Sequence, residues 1–542
     1  MFRISGGEVY DPLHGINGEK RDIYVRDGKI VAPEDVDQKH LEVIDASGLV
    51  VMAGGVDIHS HIAGSKVNIG RKIRPEDHRR DPVPRSQVTR SGVGYTVGTT
   101  FVNAYRYARL GYTTIMEAAV PPLKARHTHE ELMDTPLIDK GCLILMGNNN
   151  FILRHIGSGD YDKIRNFVSW LLHACKGYGI KAVNPGGIEN WKWGKNVAGL
   201  DDLVMGYGVT PRQIITTLIR VNEELGLPHP LHLHCNNLGL PGNYQTTLET
   251  MKVAGQSRLH LTHLQFHSYG GESMRNLSSQ APVLAEYINE HENLSIDVGQ
   301  IIFGEVTTMT ADGPWQYTLY QLSHNKWANS DVEYETGAGI VPFLFKRDNP
   351  IHATQWAIGL ELFLLIQDPW RVILTTDHPN AGPFFFYPQI IKLLMDKKYR
   401  DEMLASVHER ASCTLLSQID REYSLYEIAI ITRAGPARRL GLRHKGHLGV
   451  GADADIAIYP KEVDAEWMFS NPRYVFKDGL LVVKDGQIVT DYMGRSLLVE
   501  TAWEESIAEE IGKEFDRFYS ISLENYPVEL DYLPRYEVIP CR

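Results

Sequence analysis

The chain has 542 residues, 43% hydrophobic and 23% charged, the composition of an ordinary globular protein with room for one large domain and a smaller one. A net charge of −12 argues against a general nucleic-acid binder, and no apolar run reaches the length of a membrane span. Five dispersed cysteines make neither a CxxC pair nor a disulfide framework, and Met1 to Gly7 carries no signal-peptide hydrophobic region. A reducing cytoplasm and no membrane partner are the expectation.

The first fifty residues alternate short strands with turns. Asp22 to Arg26 runs into Asp27-Gly28 and on to Lys29-Ile30-Val31, the pattern of a hairpin. Leu41 to Asp45 is a further strand, turned by Ala46-Ser47-Gly48 into Leu49 to Met52. The same texture returns at Ala454 to Tyr459, Tyr474 to Gly479 and Leu481 to Val489. Two β-rich ends around a long middle predict one small β domain built from both termini.

The middle alternates short apolar runs with segments of helical period. The runs are Val56-Asp57-Ile58, Thr113 to Glu117, Cys142 to Met146, Ile180 to Val183, Leu231 to His234, Leu259 to His263, Leu294 to Val298 and Val372 to Thr376. Eight is the number that a parallel barrel requires. One intervening helix is well marked, with Thr210 as N-cap, Pro211 at the first position and Ile214, Ile215, Leu218 and Ile219 on one face. Residues 301–370 are too many for a simple connection and predict extra structure over the barrel mouth. The expected fold is therefore α/β: a (β/α)8 TIM-like barrel over 54–435, a small β-sandwich domain from 1–53 and 436–495, and a tail over 496–542.

Functional groups in such a barrel sit at the C-terminal strand ends. Those ends offer His59, His61, Lys181, His234, His263 and Asp377. His59 and His61 leave their strand on the same side, as half of a metal site does. Each group also has an ordinary explanation: a solvated face for His232 and His234, satisfied core histidines at His260 and His263, a helix cap at Asp377. Six such explanations would have to hold at once. Lys181 helps a metal only if uncharged or converted by carbon dioxide to a carbamate. Spacing alone does not separate that from an ordinary buried or surface lysine.

Val43-Ile44-Asp45-Ala46 and Gly54 to His61, with Pro436 to Leu442 and Gly451 to Ile456, resemble the opening and closing segments of the metal-dependent amidohydrolase superfamily. Ala53 departs from the proline usual before those glycines. Arg90 to Val97, Glu117 to Pro122, Val183-Asn184-Pro185-Gly186-Gly187 and His234 to Gly239 are similar to the family of A subunits of formylmethanofuran dehydrogenase and of the bacterial formyltransferase/hydrolase complex.

The resemblance implies two zinc ions bridged by N6-carboxylated Lys181, held by His59, His61, His234 and His263, with Asp377 as catalytic aspartate that also touches metal. It implies a zinc-dependent amidohydrolase that cleaves, or in reverse forms, the formamide bond between formate and a methanofuran-type carrier. The partners it implies are the B, C and D types of subunit. A stand-alone cyclic-amide hydrolase of the dihydroorotase or hydantoinase kind shares the metal inventory, and a non-catalytic barrel scaffold is the further alternative. No clustered-cysteine iron–sulfur signature is present, so redox chemistry would belong to other subunits. Arg79 and Arg80, in a basic stretch after His61, are candidates for steering a carboxylate-rich carrier, against the alternative of a solvated or subunit-facing loop. Asn184 and Asn236 are further candidates for substrate contact.

Overall fold

The structure is a computed structural model that describes residues 1–37, 41–330, 338–518 and 522–542, apart from the side chains at 79, 329, 330 and 338. Eight parallel strands form the barrel: β1 (Gly55–Ser60), β2 (Tyr112–Val120), β3 (Asp139–Leu145), β4 (Gly179–Val183), β5 (Leu231–His234), β6 (Leu259–Leu261), β7 (Leu294–Asp297) and β8 (Val372–Ile373). Each expected run overlaps one of them. They were legible because strands covered on both faces read as continuous apolar segments, and all eight are buried along their whole length.

Closure between β8 and β1 comes just past the strand ends. Ser60 bridges His378 in parallel, the His61 N–H donates to the His378 carbonyl at 2.8 Å, and the Thr375 hydroxyl donates to the His59 carbonyl at 2.8 Å. The segment after β8 is thereby tied to the one after β1, which brings Asp377 to His59 and His61.

The predicted helix is Pro211–Glu224. Thr210 and Gln213 form a reciprocal capping box, and Ile214, Ile215, Leu218 and Ile219 are buried against the barrel. Such caps stabilise a helix by about 1 kcal/mol, but the buried face decides where it lies.

Both termini contribute to a separate nine-stranded sheet, in the order Gln487–Ile488, Leu480–Lys484, Tyr474–Lys477, Ile456–Pro460, Leu49–Ala53, Phe2–Asp11, Ile16–Arg26 and Lys29–Val31, with Glu42–Asp45 beside Phe2–Asp11. The expected hairpin is present. Asp27 and Gly28 both have positive φ, 51° and 79°, as the two-residue turn that matches strand twist requires.

The 301–370 segment holds a three-stranded antiparallel sheet (Gly304–Thr310, Ala328–Ser330, Ala338–Phe345) and the helices Gly313–Ser323 and Pro350–Leu365. The last stretch of chain is woven in as well. Ser496–Leu498 pairs in parallel with Lys140 and Gly141 of β3 and with Tyr536–Val538, and the Ser506–Phe518 helix packs on Tyr161–Ala174. Among the described residues, no helix is long and apolar enough to cross a membrane.

Candidate metal centre

His59, His61 and Asp377 meet at the barrel mouth. His59 Nε2 lies 3.0 Å and His61 Nε2 3.2 Å from Asp377 Oδ1. The other ring nitrogen of each histidine has a buried carboxylate partner: His61 Nδ1 is 2.9 Å from Glu117 Oε1, and His59 Nδ1 is 3.2 Å from Asp297 Oδ2. A carboxylate accepts, so with a cation among these groups each imidazole would keep its proton on Nδ1 for the outer carboxylate and turn the Nε2 lone pair toward the cation beside Asp377. Two lone pairs and a carboxylate oxygen this close repel unless positive charge lies among them. That is the donor set of a cation site.

A second anchor fixes the same tautomer of His59. His229 Nδ1 lies 3.0 Å from the Arg439 carbonyl, His229 Nε2 is 2.9 Å from His232 Nδ1, and His232 Nε2 is 3.1 Å from His59 Nδ1. The carbonyl can only accept, so His229 donates from Nδ1 and accepts at Nε2. Burial holds His229 and His232 well below the ordinary imidazole range, so both are neutral. Each ring then passes the same polarity on, and His59 must donate from Nδ1. Asp297 also accepts from His260 Nε2 at 3.1 Å and from the backbone N–H of His263 at 2.6 Å, which ties β1, β6 and β7 together under the mouth.

His263, with φ of 34°, follows β6, and its buried Nδ1 has no hydrogen-bond partner among the described residues; the same is true of both ring nitrogens of His267. His234, His263 and His267 bring ligand atoms within 4.8 Å of one another, as do His59, His263 and Asp377. The two clusters share His263. Burial keeps His263 and His267 well below the usual imidazole pKa, and therefore neutral, as metal ligands must be. His234 Nε2 lies 3.0 Å from Asp312 Oδ2, which leaves its Nδ1 lone pair for a metal. These buried His and Asp clusters form a candidate binuclear metal site.

Lys181 is buried in the middle of β4 rather than at its end, with Nζ 3.3 Å from Thr262 Oγ1. Burial pushes its amine down to about 7, against the opposing pull of Asp297 and Asp377. An amine with that pKa is substantially neutral near pH 7, the form that carbon dioxide attacks. For Asp377, burial alone would raise the carboxyl, but His59 and His263 outweigh it and hold it well below the usual range.

All six expected strand-end groups thus lie in one buried region. The other candidates are placed differently. The Asn184 amide donates to Asp312 Oδ1 at 3.1 Å, and the Asn236 amide donates to Asn184 Oδ1 at 2.8 Å; these donors form a chain behind His234. Arg80 is half-exposed, ion-paired with Glu305 and stacked over Tyr95. The Arg79 side chain lies outside the described residues.

Sequence reasoning passed over Glu117, Asp297, Asp312 and His267. Glu117 ends its apolar run and Asp297 stands one residue before the end of its own, so the rule that picked out Lys181 applies to them too. His267 sits four positions after His263, a spacing that suits one helical turn. Asp312 had no signal, because it belongs to the insertion.

A cavity of about 510 Å³ leads down to His234, His263 and Asp377. Its walls are largely apolar, with Leu238, Trp315 and Phe343 prominent, and the insertion supplies much of them. Polar groups at the floor and apolar walls above suit a small-molecule ligand with one reactive end.

Three comparisons bear on identity. The protein FwdA of Methanocaldococcus jannaschii is 52% identical over 99% of this chain and 98% of its own length. The Fhc A subunit of the formyltransferase/hydrolase complex of Methylorubrum extorquens is 39% identical over the whole of both chains; in the crystal structure of FhcABCD with methylofuran, a chain matches with a TM-score of 0.94, at 38% identity and full coverage of both. By contrast, the dihydroorotase of Streptococcus pneumoniae matches only 62 residues, 11% of this chain and 14% of its own, at 44% identity. The profile of the amidohydrolase family covers residues 42–490, and on that match and the full-length relatives the chain belongs to the amidohydrolase family.

Proposed function

We propose that this chain is the hydrolytic A-type subunit of a formylmethanofuran dehydrogenase or formyltransferase/hydrolase complex. It cleaves, or in reverse forms, the amide between formate and the amine of a methanofuran-type carrier, and it assembles with B, C and D types of subunit. The observation that carries this reading is the convergence of His59, His61, Lys181, His234, His263 and Asp377 in a chain that matches FwdA and the Fhc A subunit end to end. The dihydroorotase alternative rests on a match of 62 residues, 11% of this chain, and on the fold.

The metals are two zinc ions. His59, His61 and Asp377 would hold one and His234 and His263 the other, with Lys181, as its carbamate, and His267 as further donors. Bound there, zinc supplies a Lewis acid for the formyl oxygen and lowers the pKa of water toward 7. Asp377, ionised and buried, accepts the proton of the attacking water and returns it to the carrier nitrogen as the carbon–nitrogen bond breaks. Formate and the free amine leave. The reverse path takes water from the same partners. Apolar walls keep bulk water from the reacting carbon and hold the carrier in line. Arg80 attracts acidic groups of the carrier. The barrel is assigned to 54–435 and the two-part β domain to 1–53 and 436–495.

Formate release from the formylated carrier by the purified complex tests the reading. Release that a chelator abolishes and zinc restores, with two zinc ions per chain, is the expected result. A metal-free preparation that releases formate at the same rate would contradict it.

A further inference from the structure

A second cavity, of about 390 Å³, opens at the other end of the barrel from His59 and Asp377. Pro228 in its wall precedes β5, whose last residue is His234, so the cavity lies at the N-terminal strand ends. The closing segment supplies much of the lining, with Arg438, Leu442, Arg443 and Lys445, and Arg542 comes from the tail. Two glycines fix that segment. Gly441 and Gly446 have φ of 75° and 73°, and a Cβ would stand 2.6 Å from Pro228 on the first and 2.6 Å from Ala437 and the Arg433 carbonyl on the second. The loop between them is held close to the helix Gly435–Leu440.

Charge sets this cavity apart. Lys445 is met by Asp139, Asp453 and Asp455, Arg258 by Glu223 at 2.9 Å and Arg371 by Asp368 at 3.2 Å. Arg438, Arg443 and Arg542 are exposed and have no such partner; among the described residues their guanidiniums make no ion pair or hydrogen bond. Arg438 lies over the Trp370 ring at 5.1 Å, a contact that uses no N–H. Burial, then Arg258, Arg443 and Arg438, lower Arg542 against the pull of Glu223, and burial with Arg438 pushes Arg439 down to about 10. Like charges thus crowd one concave surface of a chain whose net charge is −12. A cleft lined by one sign of charge concentrates ions of the other.

We propose that this cavity is a binding site for a phosphate-type anion, held by Arg438, Arg443 and Arg542. A guanidinium is a planar fork of donors that matches phosphate oxygens in pairs. Three cations without partners call for more than one negative charge, which a phosphate group carries near pH 7 and a single carboxylate does not. Leu13, Ala434, Leu442 and Pro540 form an apolar wall beside the arginines, which suits the organic body of a phosphate ester. The site is separate from the reaction proposed above.

The test is calorimetric titration of phenyl phosphate and of inorganic phosphate into the purified complex, native and carrying Arg443→Gln. The proposal predicts saturable binding by the native complex and affinity weaker by roughly ten- to a hundredfold in Arg443→Gln, the loss of a charge-assisted hydrogen bond. Tighter binding of phenyl phosphate assigns the site to phosphate esters, and equal affinities assign it to the free ion. No saturable binding of either probe by the native complex would overturn the proposal. So would equal affinities in the native and variant complexes, because phosphate taken up elsewhere, at the metal centre included, does not sense Arg443. Should Arg443→Gln fail to assemble, Arg542→Gln decides by the same outcomes.

Discussion

At the scale of single residues, the centre depends on where protons sit on imidazole rings. Glu117 and Asp297 hold His61 and His59 by Nδ1 and so aim Nε2 at the candidate metal position. Replacing Glu117 by Gln keeps the shape but lets the amide offer a donor where only an acceptor serves. We expect metal affinity to fall about 10–100-fold, the usual cost of losing such a partner, as read by competition with a chelating dye. The six strand-end groups were legible in the sequence because His, Lys and Asp stood where apolar strands normally close. Glu117 and Asp297 stood in equivalent places and were as legible. Lys181 carries its own test. Preparing the protein under carbon dioxide-free buffer should lower zinc uptake, and added bicarbonate should restore it, while Lys181→Met should take up less zinc with or without bicarbonate. Bicarbonate-independent uptake would remove the carbamate.

At the scale of elements, the eight barrel strands and the helix Pro211–Glu224 followed from period and capping, since each is a local pattern. The insertion followed only as a length. Nothing local in residues 301–370 says that Asp312 will cap the helix Gly313–Ser323 and, from there, hold His234 Nε2. That contact is a tertiary one, between residues 78 apart. Asp312→Ala should therefore loosen His234 and weaken zinc binding, while Thr310→Ala, a neighbour without that contact, should not; equal zinc affinity in both variants would show that Asp312 does not orient the ligand. The strand Ser496–Leu498 was hidden for the same reason, because three residues carry too little pattern to announce a pairing with β3. Ending the chain at residue 495 would expose that edge of β3, and a lower melting temperature is expected.

At the scale of the whole molecule, charges buried beneath the barrel join it to the sheet made from both termini. Lys445 Nζ lies 2.6 Å from Asp139, 2.9 Å from Asp453 and 2.8 Å from Asp455, while Lys477 and Arg495 complete the group. Burial would raise Asp139, but Lys445, Lys477 and Arg495 together overcome it and hold the carboxyl far below its ordinary value. A depressed folded pKa contributes stability that is fully present above the unfolded value near 3.9 and is lost as pH falls below it. Asp139→Asn, which leaves cations buried, should destabilise by about 3–5 kcal/mol at pH 7, and the gap to the native protein should narrow below pH 4; denaturant unfolding at both pH values measures it. That frame presents the candidate ligand histidines and Asp377 at one mouth, and the central proposal is that Asp377 moves the proton there. Formate release by the complex carrying Asp377→Asn, at saturating formylated carrier and with zinc content verified, tests it most directly. Loss of general acid–base catalysis predicts kcat lower by at least about a hundredfold; an equal kcat at equal zinc content would contradict the account.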